Sequence, residues 1–193
     1  MPLTKGCTRK TIQKNTKLML SEGRSAEQSN AIAMDTARRA CGLYLFCYGS
    51  NNARQLTERL GRVVCVKPGV LLNRKRVFRG KSLRWKGGVA SLAPTKGSKV
   101  FGLLVEVDKE DLKKLDVIEG IASGVYVRRS VQAYLVIDAA KNLWKEVTAW
   151  AYVATSKEYH EPSKAYLEEV AKTVGEFWLD HGKKVTWKSF PIE

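Results

Sequence analysis

Three small polar residues, Gly49, Ser50 and Asn51, directly follow an apolar run that ends at Tyr48. Glycine permits unusual backbone angles and close approach of another group. Successive backbone N–H groups at a strand-to-helix turn can bind an anion such as a carboxylate, and the two side chains add donors. The alternative is an ordinary turn in which Asn51 or Asn52 caps the next helix.

Glu119 is the second residue whose position suggests chemistry, because it ends a predicted helix just before Gly120. A carboxylate there faces the negative end of the helix dipole. Its apolar neighbours Val117, Ile118 and Ile121 indicate partial burial. A carboxylate in such a place is suited to accept and return a proton near neutral pH. The alternative is a solvated glutamate without a chemical role.

Other chemistries lack their sequence signatures. The chain has no phosphate-binding or dinucleotide-binding glycine motif and no GxSxG nucleophile turn. Its four cysteines form no CxxC pair and have no histidine cluster near them. Cys47 lies within an apolar strand and is predicted to be a core residue. No metal and no cofactor are therefore expected.

The elements that must position these residues are mostly strands. Strands are predicted over 43–48, 63–66, 70–78, 100–107, 126–137 and 147–153, with Pro68 and Gly69 as a break between the second and the third. Helices are predicted over 52–60, from Asp108 to Gly120, and from a Ser163 cap to Gly182. Because the helices are scattered among more numerous strands, we expect an α+β fold with a mixed-strand, barrel-like sheet and flanking helices.

Residues 1–40 are predicted to be a basic extension of a domain that spans 41–193. The first 21 residues have five bases, no acid and no clear apolar period. A helix capped by Ser25 is predicted over 25–39, and a disordered or loosely docked tail is expected otherwise. A mitochondrial targeting segment is the alternative, since such segments are basic and poor in acids.

Much of the net charge of +15 is concentrated between Arg62 and Lys99, where eleven Lys or Arg residues occur without an acid. A nucleic-acid-binding surface has this composition, and so does the solvated face of a basic enzyme. Phe78 and Trp85 are the only aromatic residues in the stretch, which is few for base stacking. Nucleic-acid binding is therefore a secondary hypothesis.

The 193 residues, of which 44% are apolar, suit one globular domain with an extension. No apolar run approaches the roughly 18 residues that cross a bilayer. The amino-terminal end also lacks the apolar segment of a secretory signal. We expect a cytoplasmic protein with reduced thiols and no membrane contact.

A series of segments between residues 43 and 180 resembles, in order, the motifs of the γ-glutamylcyclotransferase family. FCYGSN at 46–51 is similar to the family's FAYGSN turn, and WKGGVASL at 85–92 to its W-x-G-G-x-A segment. The stretch 100–131 is similar to its V-x-G-V, L-D-x-x-E-G and G-x-Y motifs, and 162–166 to its P-S-x-x-Y. The basic stretch and the 40-residue extension have no counterpart in these motifs.

The resemblance implies a cyclotransferase-type barrel and a cofactor-independent enzyme of glutathione metabolism, of lyase or acyltransferase type. It would convert a γ-glutamyl-amino acid into 5-oxoproline and the free amino acid. Glu119 would be the acid/base, and Gly49, Ser50 and Asn51 would hold the α-carboxylate of the glutamyl group. The remaining pocket residues that it implies are Tyr48, Tyr126, Tyr152 and Tyr166. A homodimer is expected by analogy.

The YGSN form differs from the YGSL form of glutathione-specific relatives and the YGT form of γ-glutamylamine relatives. A γ-glutamyl dipeptide is therefore the expected small-molecule substrate. Two alternatives stay open: a cyclotransferase for a specialised γ-glutamylamine, and a non-catalytic polyanion-binding module on the same fold. The second would bind nucleic acid with a steep salt dependence.

Overall fold

Five strands close into a barrel in the order β1-β3-β2-β4-β5. The computed structural model describes residues 2–4, 9–62, 64–138, 143–175, 179–180 and 183–184. The barrel strands are β1 (Leu43–Cys47), β2 (Val66–Ser82), β3 (Gly87–Val107), β4 (Tyr126–Asp138) and β5 (Leu143–Ala154). β1 closes the barrel, because it pairs antiparallel with β3 on one side and parallel with β5 on the other. The predicted mixed-strand barrel is confirmed.

Five helices accompany the barrel: α1 (Arg9–Ser21), α2 (Ala26–Cys41), α3 (Ala53–Leu60), α4 (Lys109–Ile118) and α5 (Lys164–Gly175). Their starts follow local signals. Ser25 and Asp108 form capping boxes with the third residue of α2 and α4, and Asn52 caps α3 through a 2.8 Å bond from the Gln55 N–H. At α5 the Ser163 hydroxyl accepts from the Tyr166 N–H at 3.3 Å.

Two apolar clusters lie on opposite sides of β1, because successive side chains of a strand point to opposite faces. Phe46 and Tyr48 belong to the cluster that includes Tyr166 of α5. Leu45 and Cys47 belong to the cluster beneath α3 and α4. Both clusters include residues that are almost fully buried, and each such side chain contributes about 1.5–3 kcal/mol. The end of β1 is therefore fixed from both sides.

β2 is one strand, so the predicted break at Pro68 and Gly69 is wrong. Pro68 pairs with Leu103 of β3, and β2 gains its second neighbour, β4, only at Gly69 and Val70. Proline is tolerated at such an edge-like position because it lacks only an N–H that the ladder does not need there. The β2–β3 ladder is interrupted instead around Asn73, whose φ is +56°. Val63, predicted as the start of a strand, lies outside the described residues.

The described amino-terminal segment is helical: α2 confirms the helix predicted from a Ser25 cap, and α1 lies where no helix was predicted. α1 and α2 pack against each other, and Asn15, Met19, Ala33 and Ala37 are buried. Asn15 is held by two bonds to the backbone of Thr4, at 3.0 and 2.9 Å. Neither of the two core clusters of the described chain includes a residue of this hairpin. The division of the chain at residues 40 and 41 stays a prediction.

α5 ends earlier than the apolar pattern predicts. The helix is described to Gly175, and residues 179–180 already pair with 183–184 as the short strands β6 (Leu179–Asp180) and β7 (Lys183–Lys184). The predicted end at Gly182, like Phe177 and Trp178 of the predicted stripe, lies outside the described residues. Among the described helices, none is both long enough and apolar enough to cross a membrane.

Candidate active site

The turn after β1 and the end of α4 meet at one cavity of about 400 Å³, part of which is open to solvent. All eight predicted site residues line it. These are Tyr48, Gly49, Ser50, Asn51, Glu119, Tyr126, Tyr152 and Tyr166. Residues from five different elements and turns, as far apart as 48 and 166 in the chain, therefore share one space.

The turn that lines this cavity includes backbone N–H groups without an acceptor in the described part of the chain. The N–H of Asn52 bonds to the Ser50 carbonyl at 2.9 Å, whereas those of Gly49, Ser50 and Asn51 have no acceptor among the described residues. Consecutive N–H groups without a protein acceptor beside a cavity form an anion-binding site. Of the two properties for which Gly49 was noted, unusual angles and close approach, the structure uses the second. Its φ is not positive, and a Cβ there would lie only 3.1 Å from the Tyr166 hydroxyl.

Glu119 is held at the cavity by the geometry of the end of α4. The Gly120 N–H bonds to the Val117 carbonyl at 3.1 Å, and the Ile121 N–H to the Asp116 carbonyl at 2.9 Å. This pair of bonds is a Schellman motif, in which the residue after the helix is left-handed. Gly120 meets that requirement with a φ of +66°. The chain therefore turns sharply after Glu119, and the backbone that carries this carboxylate is fixed.

The Glu119 side chain is largely shielded from solvent, because it is only 13% exposed. Its Oε1 accepts from Arg59 Nη1 at 3.0 Å and from Asn51 Nδ2 at 3.2 Å. Arg59 Nη1 also donates to Asn51 Oδ1 at 2.8 Å. Three side chains thus form a closed triangle of hydrogen bonds. No described residue bonds to Glu119 Oε2.

Arg59 is the functional residue that sequence reasoning missed. It lies eight positions after Asn51 on α3, which places it two helical turns beyond the Gly-Ser-Asn turn. This spacing from the turn was the one feature of the sequence that could have indicated Arg59. Its partner Glu119 is 60 residues away in sequence, and nothing in the local pattern connects the two.

Arg76 places a second positive charge beneath the turn. Its Nε donates to the Tyr48 carbonyl at 2.9 Å and its Nη2 to the Phe101 carbonyl at 2.8 Å. Burial lowers the pKa of Arg76 to about 10, opposed by the nearby hydroxyls of Tyr166 and Tyr48. The guanidinium still carries its charge at neutral pH, which favours an anion at the turn.

Tyr152 and Tyr48 are fixed by hydrogen bonds along the cavity wall. The Tyr152 hydroxyl donates to Asp116 Oδ1 at 2.8 Å, and Asp116 in turn pairs with Arg128 at 2.8 Å. The Tyr48 hydroxyl donates to the Tyr152 carbonyl. Burial, followed by the Asp116 bond, raises the pKa of Tyr152. Burial likewise raises the pKa of Tyr48 and Tyr126. These phenols remain neutral donors at physiological pH.

Tyr166 connects α5, the turn and β3. Its hydroxyl accepts from the Ala90 N–H at 2.8 Å and lies against Gly49 of the turn, while its ring lies 5.3 Å from Trp85. Burial raises the pKa of Tyr166 to about 12, opposed by the Ala90 N–H and Arg76. The same hydroxyl therefore anchors two walls of the cavity.

Tyr166→Phe is expected to lower the free energy of unfolding by about 1–3 kcal/mol, because the buried Ala90 N–H loses its acceptor. Urea unfolding measures this change as a lower midpoint with an unchanged slope. The control is Tyr44→Phe, since no described residue bonds to that half-buried hydroxyl, and its effect should stay within about 0.5 kcal/mol. Equal losses in the two variants would contradict the role of the Tyr166 hydroxyl.

Cys47 lines the cavity but has the character of a core residue, as predicted. It is 3% exposed and packs in the cluster beneath α3 and α4. Burial, reinforced by the Glu119 charge, raises the pKa of Cys47. A thiol held protonated in this way is a poor nucleophile.

Several of the eleven bases between Arg62 and Lys99 are committed to the fold. Arg62 pairs with Asp111, and Lys67 pairs with Glu106 at 3.4 Å. Arg76 is buried beside the cavity. The run that looks continuous in sequence is therefore divided in space between ion pairs, the barrel interior and the surface, which weakens the polyanion-binding hypothesis.

Comparison with known proteins identifies relatives of the whole barrel region. A family model described as "Gamma-glutamyl cyclotransferase, AIG2-like" matches residues 45–170. The mouse protein named gamma-glutamylcyclotransferase is 36% identical over 94 residues, which are 48% of this chain and 47% of that protein. Its human counterpart is 34% identical over 131 residues, which are 63% of this chain and 64% of that protein. The chain thus spans about half to two thirds of the length of these curated relatives.

The fold has a counterpart among solved structures. One named "Gamma-glutamyl cyclotransferase" superposes with a TM-score of 0.67 at 25% identity, covering 79% of this chain and 89% of that chain. The two proteins therefore share a fold over most of this chain.

Proposed function

Because the chain belongs to the gamma-glutamyl cyclotransferase, AIG2-like family, we propose that it is a γ-glutamylcyclotransferase. It converts a γ-glutamyl-amino acid into 5-oxoproline and the free amino acid. One observation carries the proposal: Glu119, with one carboxylate oxygen open, shares a cavity with three N–H groups that lack a protein acceptor. The cavity thus offers a proton acceptor and an anion site side by side.

The N–H groups of Gly49, Ser50 and Asn51 bind the α-carboxylate of the glutamyl group. The positive charge of Arg76, whose guanidinium bonds to the Tyr48 carbonyl just before the turn, also favours an anion there. The Asn51 side chain has a different task from the one the sequence suggested. Its amide bonds to Glu119 and Arg59, so the turn offers mainly backbone donors to the substrate.

Glu119 moves the proton that the reaction must transfer. The substrate's α-amine arrives as an ammonium ion and gives one proton to Glu119. The freed amine attacks the γ-carbonyl carbon, a C–N bond forms, and the original γ-amide C–N bond breaks. The proton on Glu119 passes to the leaving nitrogen, and the second proton of the new ring nitrogen then passes through Glu119 to the released amine, which departs as an ammonium ion. Because the attack is intramolecular, the pocket chiefly has to hold the substrate folded.

The four tyrosines shape the pocket in which the glutamyl chain folds. Tyr48, Tyr152 and Tyr166 are each fixed by a hydroxyl bond within the protein, so their positions are set before substrate binds. Tyr126 lies at the start of β4 with its ring at the cavity. Rigid walls of this kind lower the entropy cost of holding a near-attack shape.

The expected substrate is a γ-glutamyl dipeptide. Two guanidinium groups, Arg59 and Arg76, lie at the site, whereas Glu119 is the only acidic residue that lines the described cavity. That balance disfavours amine adducts that carry an additional positive charge. A place in glutathione metabolism, a cytoplasmic location and a homodimer belong to the same proposal.

The direct test is release of 5-oxoproline from γ-glutamyl-alanine, with glutathione and γ-glutamyl-ε-lysine assayed in parallel. We expect release from the dipeptide, with weaker or no release from the other two. Release only from the lysine adduct would replace the dipeptide with an amine substrate. No release from any compound by folded protein would overturn the proposed function.

A further inference from the structure

We propose that Arg59 is a positioning residue of the cyclisation, which holds Glu119 Oε1 so that Oε2 faces the substrate's ammonium group. This inference rests on the proposed function, because it assigns a task within that reaction. Arg59 does not line the cavity. Its influence on the reacting atoms therefore passes through Glu119 and Asn51, with which it forms the hydrogen-bonded triangle.

One guanidinium nitrogen holds both partners. Nη1 donates to Glu119 Oε1 at 3.0 Å and to Asn51 Oδ1 at 2.8 Å. The second donor to Oε1 is Asn51 Nδ2 at 3.2 Å. Both donors thus bind the same carboxylate oxygen, which fixes the rotation of the carboxylate. Oε2, which no described residue bonds, is the oxygen left for substrate.

The bond from Arg59 also decides which end of the Asn51 amide faces Glu119. Arg59 has only donors, so it requires the oxygen of the amide on its side. The NH2 group must then point to the carboxylate. Loss of the guanidinium would free the amide to rotate and would release both constraints on Glu119 together.

Arg59 is itself well anchored. It lies in the last turn of α3, whose apolar face is buried through Leu56 and Leu60. Gly61 ends the helix with a φ of +68°, and its N–H bonds to the Thr57 carbonyl at 2.9 Å. A cation in the last turn is favoured by the helix dipole. The Arg59 side chain is 19% exposed, so solvent competes little for the guanidinium.

The experiment compares Arg59→Ala and Arg59→Lys with Arg54→Ala, which removes an exposed arginine from the same helix. We expect Arg59→Ala to lower kcat for γ-glutamyl-alanine about 100-fold, because a displaced catalytic group costs roughly that factor. KM should change less than about threefold, since the α-carboxylate site is intact. Arg59→Lys should keep part of the activity, because one ammonium cannot reproduce both bonds. Arg54→Ala should match wild type.

Rescue of activity by added guanidinium chloride, at a concentration too low to unfold the protein, distinguishes a positioning role from a purely structural one. The added salt should raise the kcat of Arg59→Ala and leave Arg54→Ala unchanged, because the ion can occupy the vacated place beside Glu119. Unfolding curves for each variant keep stability separate from turnover. If Arg59→Ala does not fold, the kcat of Arg59→Lys and its KM decide the question.

Three results would overturn the inference. If kcat of Arg59→Ala stays within about threefold of Arg54→Ala while wild type is active, Arg59 does not position the base. A loss confined to KM would mean that Arg59 binds substrate directly. If wild type itself releases no 5-oxoproline from any γ-glutamyl compound, the proposed function fails and this inference fails with it.

Discussion

Glu119→Gln is expected to lower kcat for 5-oxoproline release by about 10²–10⁴, the range that a general acid/base contributes. Glutamine keeps the shape of the side chain. Its carbonyl oxygen can accept from Arg59 and Asn51 as Oε1 does, at 3.0 and 3.2 Å. Its NH2 group then occupies the place of Oε2, where it cannot take a proton from the ammonium. The pocket therefore stays assembled while the base is lost.

Steady-state kinetics with γ-glutamyl-alanine measures the change, and KM should stay close to the wild-type value. Glu110→Gln is the matched control, because that exposed glutamate lies in the first turn of the same helix. It should lower the free energy of unfolding by no more than about 0.3–1 kcal/mol, the size of a helix-dipole interaction at an exposed helix end. It should leave kcat unchanged. Undiminished turnover in Glu119→Gln would show that the proton moves by another route.

The parts of the fold that sequence predicted correctly depend on short-range rules. Ser25 caps α2 as predicted, and Asn52, one of the two candidate caps in the turn, caps α3. Each involves residues no more than three positions apart, so the local sequence contains the whole signal. The turn and Glu119 were also singled out from local sequence, whereas the four tyrosines of the cavity came only from the resemblance of ordered motifs to a family.

The wrong predictions concern features that depend on distant partners. Whether Pro68 breaks β2 depends on where β4 joins, which the local sequence does not reveal. Gly49 was noted for unusual backbone angles or close approach, and only the Tyr166 hydroxyl, more than 100 residues later, shows that close approach is the constraint. Helix α1 was not predicted, because it is buried only against α2 and its apolar pattern is weak. Long-range packing decides each case.

Arg59 illustrates the same limit at the site. A helix-end arginine paired with nothing nearby is commonplace in sequence, and its importance appears only when α4 brings Glu119 beside it. Exposed ion pairs contribute little to stability. The ion pair of Arg59 and Glu119 is mostly buried, and Asn51 bonds to both partners. Its geometry therefore indicates a role at the site.

The paired glycines at the start of β3 give the prediction with the largest effect on stability. A Cβ at Gly88 would lie 2.0 Å from the His160 carbonyl oxygen and 2.8 Å from its carbon. Both atoms belong to the backbone, so no side-chain rotation can relieve the contact. The Gly88 N–H also bonds to the Glu161 carbonyl at 2.9 Å. This close backbone contact between β3 and residues 160–161 positions the segment that leads into α5.

Gly88→Ala is therefore expected to lower the free energy of unfolding by about 3 kcal/mol or more, at the upper end of overpacking costs. The displaced segment should carry Tyr166 away from Ala90, so 5-oxoproline release should fall as well. Urea unfolding and the kinetic assay measure the two effects.

Gly97→Ala, in the same strand, separates the effect of steric overlap from that of backbone strain. A Cβ at Gly97 meets nothing within 4 Å, but its φ is +82°, so alanine costs about 1–2 kcal/mol from backbone strain alone. Its turnover should be that of wild type. If Gly88→Ala unfolds no more easily than Gly97→Ala and retains its activity, the close approach of β3 to residues 160–163 does not position the site. Tyr166 would then be held chiefly by its ring contact with Trp85 and by the apolar face of α5.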